Sequence, residues 1–221
     1  MRILCAENSP VTMAGISILL EVEGYRDVCV ATCYREIKER MSAQSFDLLI
    51  AELRFSDVEL LDVVEEIRQI CPQTKILIYT YQDNPTYLAR ASAYRVFDFV
   101  LKKMSTSHLL RSISDAASDS GPSGSLIEQS NAFLNNVNQP NNPNTDHLTK
   151  REHQILTHLS LGLSNREISA VLGISLETVK EHVQNVLRKL NASDRTEAAV
   201  WALRKGVPTL NLQMPTVSPK P

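Results

Sequence analysis

Apolar positions along this chain follow two different periods, and the change from one to the other divides it. Over residues 1–118, short apolar runs alternate with amphipathic stretches. The runs predict strands at 2–6, 28–31, 47–51, 75–80 and 96–101, and the stretches between them predict helices near 10–22, 34–43, 57–70, 84–94 and 105–118. Five successive βα units imply an α/β, doubly wound, five-stranded parallel sheet covered by helices on both faces, with any site at the carboxyl ends of the strands. Those ends carry Glu7 and Asn8 after the first strand, Glu52 after the third, Thr80 at the fourth and Lys102 after the fifth.

From residue 147 the period is helical throughout. Thr149 with Glu152 forms an S/T-x-x-E capping box, opening a helix through Ile155, Leu156, Leu159 and Leu161 that stops near Gly162. Ser164 with Glu167 opens a second, ended by Gly173, and Ser175 is a good N-cap for a third. In that third helix Val179, Val183, Val186, Leu187 and Leu190 share one face, which should be buried. At about 100° per residue the opposite face carries Thr178, Glu181, Gln184, Asn185 and Arg188, with Lys180 and His182 on its flanks and Lys189 nearby. Asp194 with Glu197 opens a fourth helix, which ends at Gly206. Four short helices make an all-α four-helix helix-turn-helix domain over 147–206.

A helix presenting amides, hydroxyls and basic groups can enter a major groove, where such side chains meet base edges and phosphates. The bland alternative is an amphipathic helix whose polar face is simply solvated.

The intervening residues, 119–146, are rich in Ser, Gly, Asn and Pro and hold no Lys or Arg, which reads as a flexible linker. Leu126, Ile127, Phe133, Leu134 and Val137 could form a short amphipathic helix there, docked on one domain or a second chain; the alternative is transient local order. The tail, 207–221, has four prolines and no helical period, and is expected to be disordered.

The chain of 221 residues is 43% hydrophobic and 22% charged, the composition of an ordinary soluble protein with a core. Its formal charge of −2 divides unevenly. Residues 1–120 hold 13 Lys and Arg against 17 Asp and Glu, whereas 147–206 hold 9 against 6. The basic half is the candidate nucleic-acid reader, though its excess is small enough that a dimer doubling the phosphate contacts is expected.

Cys5, Cys29, Cys33 and Cys71 lack metal-type spacing and read as buried thiols in a reducing cytoplasm. No apolar run is long enough to span a bilayer, and the N-terminus has no signal-peptide pattern, so a cytoplasmic protein without membrane association is expected.

Residues 148–206 resemble the LuxR-type DNA-binding domain along their whole length, with its LT-x-RE start, a GLSN-x-EI turn in which Ser169 replaces the usual alanine, a TVK-x-H segment and an SDRTEAA close. The resemblance implies that Lys180, Glu181 and Gln184 face bases and that Ser164, Asn165, Ser175, Thr178 and His182 sit near the DNA backbone, with Arg188 on the same face. Glu181 repels phosphates but can accept from a cytosine amino group, so it is either a specificity device, the reading favoured here, or a drag on affinity. His182 has packing at the domain's edge as an alternative.

Residues 1–118 resemble the receiver domain of two-component response regulators, and the two halves together resemble the NarL/FixJ architecture. In that family two acids after the first strand hold Mg2+, an Asp after the third accepts a phosphoryl group, a Ser/Thr and a Lys contact it, and an aromatic residue on the fifth strand turns inward. The matching positions are Glu7 and Asn8, Glu52, Thr80, Lys102 and Phe99. Thr80, Lys102 and Phe99 fit the pattern; the acids depart from it. Glu52 reaches further than Asp by up to about 1.5 Å, which disturbs in-line geometry. Asn8 removes a charge from the metal site, so Mg2+ binding at Glu7 and Glu52 should be weak and no cofactor is expected. The loop LRFSDVEL lacks the family's usual Pro and Gly, and Asp57 and Glu59 in it can sit solvated.

Ordinary phosphorylation is therefore expected to be lost. In one reading Glu52 pairs with Lys102 and approaches Thr80 as a mimic of the acyl phosphate; in the other, Glu52–Lys102 is a plain ion pair. A residual phosphorylation site is a third reading.

The sequence thus predicts a LuxR-type transcription regulator, not an enzyme, that binds double-stranded DNA as a homodimer, with the receiver mediating dimerisation or binding a protein partner. Val200 and Trp201 on the last helix could supply a dimer surface or belong to the core. The alternative is a partner-binding, titrating interaction protein with weak DNA binding.

Overall fold

A computed structural model describes residues 1–118, 120–122, 125–127, 147–205 and 207. The first part comprises β1 (Ile3–Ala6), α1 (Pro10–Val22), β2 (Val28–Ala31), α2 (Tyr34–Ala43), β3 (Leu48–Ala51), α3 (Leu60–Ile70), β4 (Lys75–Thr80), α4 (Pro85–Ala93), β5 (Asp98–Leu101) and α5 (Thr106–Ala117). All strand pairs are parallel, in the order β2-β1-β3-β4-β5. One face of the sheet (Ile3, Cys5, Leu48, Ile50, Leu77, Val100) shares a core with Ile16 and Leu20 of α1 and Leu109, Ile113 and Ala116 of α5. The alternate residues Leu4, Leu49, Ile76, Ile78 and Phe99 are buried too, so both faces are covered. This is the doubly wound sheet that the periodicity predicts.

α3 starts at Leu60 rather than near 57, because Arg54 and Glu59 close a small antiparallel bridge that keeps the intervening residues out of the helix. Cys5 and Cys71 are buried thiols, Cys5 pushed up to about 12 by burial and then by the Glu7 charge, whereas Cys29 and Cys33 are only half-buried.

The expected linker begins later than residue 119. Ser125, Leu126 and Ile127 are buried, and the Ser125 side chain bonds to Asp98, a buried carboxylate that also accepts from the Ser112 hydroxyl and the Phe99 N–H. Burial holds the Asp98 pKa above its ordinary value although these bonds oppose the shift. Phe133, Leu134 and Val137 lie outside the described residues, as does the tail beyond Val207. Val207 itself is buried and its N–H bonds to the Ala202 carbonyl (3.0 Å), which places it with the last helix rather than in the tail.

The second part comprises α6 (Lys150–Ser160), α7 (Asn165–Leu172), α8 (Leu176–Leu190) and α9 (Arg195–Arg204). Both capping boxes form, Thr149 with Glu152 and Ser164 with Glu167, and each N-cap stabilises its helix by about 1 kcal/mol. Gly173 ends α7 at φ 62°, a left-handed conformation that glycine adopts without penalty. By compactness one unit holds 1–83 and 94–127, and α4 groups with the other.

Candidate functional site

The carboxyl ends of β1, β3 and β5 bring Glu7, Glu52 and Lys102 together. Register fixes this: Ala6 and Ala51 are partners across β1 and β3, so the residues that follow them emerge side by side. The Lys102 Nζ lies 2.5 Å from Glu7 Oε2 and 2.5 Å from Glu52 Oε2, and the three side chains are only 3%, 2% and 11% exposed. The remaining oxygens are engaged as well: Glu7 Oε1 accepts from the Ser9 N–H at 2.8 Å, and Glu52 Oε1 from the Leu53 N–H at 2.6 Å. Burial pulls the Lys102 pKa down, but bonds and charge from Glu52 and Glu7 outweigh it and hold the ammonium above its ordinary value. Tyr79 and Tyr81 flank the ammonium, their ring centroids 5.6 and 5.4 Å from Nζ.

Asn8 is turned away, its Nδ2 donating to the Arg54 carbonyl at 3.0 Å. Thr80 is fully buried, and its Oγ1 accepts from the Gln82 N–H at 3.2 Å, while the bonds of Glu52 go to Lys102 and Leu53. Phe99 is buried. The strand ends thus gather Glu7, Glu52 and Lys102, with Asn8 and Thr80 bonded elsewhere.

This donor set does not fit the divalent cation that the receiver fold implies. An ammonium stands between the two carboxylates, all four of whose oxygens already accept hydrogen bonds, and the Asn8 amide donates elsewhere. Among the described residues no group of three or more His, Cys, Asp or Glu is placed to hold a metal ion.

In α8 the N-cap Ser175 accepts from the Thr178 N–H at 3.1 Å, and Asn191 caps the other end in a left-handed conformation, φ 52°. Val179, Val183 and Val186 are buried; Leu187 and Leu190 are half-buried. Lys180, Glu181, Gln184 and Arg188 are exposed in one stripe, whereas Thr178, His182 and Asn185 are half-buried along its edges. Ser164 and Ser175 are exposed at the two helix starts, and Asn165 is half-buried with a buried Oδ1 that meets no hydrogen-bond donor.

Two polar groups of the stripe are held in place: Lys180 Nζ pairs with Glu177 Oε1 at 2.7 Å and Arg188 Nη2 donates to Asn185 Oδ1 at 2.8 Å. Lys189 points back to Glu152 Oε2 at 2.7 Å, making it a structural lysine. Sequence reasoning missed the Glu7–Lys102 contact, the flanking tyrosines, the Lys189 tie and the Asn191 cap. Only the cap had a local signal, an Asn just after the last apolar position.

Residues 3–114 match the response regulator receiver domain, and residues 146–202 match the luxR family of bacterial regulatory proteins. The chain belongs to the response regulators that carry a LuxR-type DNA-binding domain. It is similar to the oxygen regulatory protein NreC of Staphylococcus carnosus, 29% identical over 215 residues that cover 93% of this chain and 98% of that one. It is also similar to the response regulator protein VraR of Staphylococcus saprophyticus, 26% identical and covering 92% and 97%. Its fold is shared with RcsB from Salmonella enterica serovar Typhimurium, solved bound to promoter P1flhDC in the presence of phosphomimetic BeF3−, at 16% identity and TM-score 0.56 over 91% of this chain and 97% of that one. Among the described residues no helix is long and apolar enough to cross a membrane.

Proposed function

We propose that this DNA-binding regulator acts as a dimer, with α8 in the major groove, and that its receiver is not switched by phosphorylation. The reading rests on the closed Glu7–Lys102–Glu52 cluster. Phosphoryl transfer needs a carboxylate oxygen free to attack in line and a cation to neutralise the incoming oxygens. Here the two oxygens of Glu52 accept from Lys102 and Leu53, and the position between the acids is taken by a side-chain ammonium. The cluster ties both carboxylates to one internal ammonium, so the domain serves as a scaffold for a second copy or a protein partner.

On the DNA side, Lys180, Glu181 and Gln184 reach base edges, Arg188 lies along the same stripe, and Ser164, Asn165, Ser175, Thr178 and His182 lie at the backbone. Glu177 to Arg188 spans about 17 Å of helix, enough to follow the groove wall. Val200 and Leu203 are exposed on α9 while Ala198 and Ala202 are buried, which supports that helix as a contact between DNA-binding domains. The Lys180–Glu177 pair, which ties up a cation of the stripe, favours a second reading, loose DNA binding by a protein that titrates other regulators.

Selection of binding sites from a random duplex pool, followed by salt titration of the winners, separates the two. The first reading predicts enriched two-fold sites with half-sites about one helical turn apart and a steep salt dependence. Failure to enrich any sequence would establish the second. Phosphorylation is tested by mass spectrometry after exposure to acetyl phosphate and Mg2+: no phosphoryl adduct is expected, and an adduct on Glu52 would overturn the scaffold reading.

A further inference from the structure

The lysine and arginine side chains of α8 all have partners within the protein, and those partners differ in charge. Lys180 Nζ pairs with Glu177 Oε1 at 2.7 Å, Arg188 Nη2 donates to Asn185 Oδ1 at 2.8 Å, and Lys189 reaches Glu152. The first two ties each span three residues of helix, and both lie along the exposed stripe.

Helix stability explains Glu177 only in part. An acid in the first turn is favoured by the helix dipole. Glu181, however, stands one turn further on, at the spacing where like charges repel. An acid at position 176 would meet the same dipole and stand four residues before Lys180, the better spacing for a pair, without facing Glu181. Leu176 occupies that position, and the acid sits instead on the stripe.

We propose that Glu177 positions the Lys180 ammonium for guanine and makes it a poor partner for phosphate. An ammonium has three donors and no acceptor. Glu177 takes one of them, leaving two for the O6 and N7 acceptors that guanine presents in the major groove. Fixing a lysine side chain costs rotamer freedom, and the tie to Glu177 completes part of that ordering before DNA arrives. Phosphate gains less from the same ammonium, because the adjoining carboxylate offsets its charge and repels the anionic backbone.

Arg188 supplies the contrast. Its holder, Asn185, is neutral, so the guanidinium is oriented and keeps its whole charge for a phosphate. An acid therefore holds the cation proposed to face bases, while an amide holds the cation further along the stripe. The pair is exposed, its side chains 75% and 49% accessible for Glu177 and Lys180, so its effect is a change of a few fold.

The inference rests on α8 reading DNA as proposed above. Its test is binding of the full chain to an enriched duplex, to single-base variants of that duplex and to a scrambled one, over a series of salt concentrations. Lys180→Met first marks the guanine, as the position where its discrimination is lost. Glu177→Ala should then lose about threefold in discrimination at that guanine and at no other position, where a merely structural acid would spread its loss over all of them. It should also bind the scrambled duplex about threefold more tightly, with a salt slope steeper by about 0.9. Glu177→Gln, whose carbonyl still accepts from the ammonium, should bind the scrambled duplex as tightly as Glu177→Ala but keep most of the discrimination. No guanine marked by Lys180→Met, unchanged binding of Glu177→Ala to the scrambled duplex, or equal loss of discrimination in the Ala and Gln variants overturns the inference and leaves base reading by α8 standing. If no duplex is enriched at all, base reading itself fails and the inference falls with it.

Discussion

Replacing Lys102 by Met keeps the length of the side chain and removes its charge. Two carboxylates, 2% and 11% exposed, would then share a buried site without a cation. Stripping one partner from a buried ion pair costs about 3–5 kcal/mol, because the remaining charge keeps its desolvation penalty and loses its compensation. In a domain of this size that is a fall of roughly 10–20 °C in the thermal midpoint.

The pH dependence has a definite sign. In the variant the two acids repel and titrate above their unfolded values, so the folded state binds more protons than the unfolded one between those values. Stability of the variant then rises as pH falls, and the gap to the parent protein narrows from pH 8 towards 5. Urea unfolding read by tyrosine emission follows this unit, since Tyr79 and Tyr81 flank the cluster, while Trp201 in α9, the chain's single tryptophan, serves as control. The combined variant Glu7→Gln, Lys102→Met, Glu52→Gln should recover most of the loss, because no unpaired charge remains. A single Lys102→Met variant within about 1 kcal/mol of the parent at pH 8, with a flat pH profile, would mean that the cluster is open to solvent and that the argument for a closed receiver fails.

In α6, burial pushes His158 down to about 4, with the Arg151 charge adding to the effect, and its ring nitrogens have no hydrogen-bond partner. The unfolded state therefore binds more protons between pH 6.5 and 4, so the helical domain should lose about 2 kcal/mol from pH 7 to 5. His158→Leu should remove most of that loss, and a parent profile without it, read by Trp201 emission, refutes the assignment. Gln184→Ala should cost about 1–3 kcal/mol of binding and relax selectivity at one base position, while Arg188→Ala should lower the salt slope by about 1 if it meets a phosphate. Equal losses on specific and random DNA for Gln184→Ala would remove it from base contact. Gly173→Ala, forced into the left-handed region at φ 62°, should destabilise the helical domain by about 1 kcal/mol, and unchanged urea unfolding would contradict that role.

What the sequence disclosed was local. The capping pairs Thr149–Glu152 and Ser164–Glu167 span three residues, so their chemistry is written in adjacent letters, and strand placement followed from runs such as 75–80. The site was legible only in part. Strand ends locate Glu7, Glu52 and Lys102, and the sequence suggests the Glu52–Lys102 pair, but nothing local says that a lysine 95 positions away also reaches Glu7. Asp98 with Ser112 and Ser125 was invisible for the same reason. A buried carboxylate in an apolar strand has no signature until its partners fold against it.

One oxygen of Glu152 accepts both from the Thr149 N–H, where it closes the capping box of α6, and from the ammonium of Lys189 near the end of α8. The helix proposed to read DNA is thereby keyed to the start of another helix. Rolling α8 about its axis would draw Lys189 away from Glu152, so the tie opposes the roll before any DNA arrives. If α8 reads DNA, a helix held in this way would act as a stamp, and a mismatched operator would have to deform to meet it.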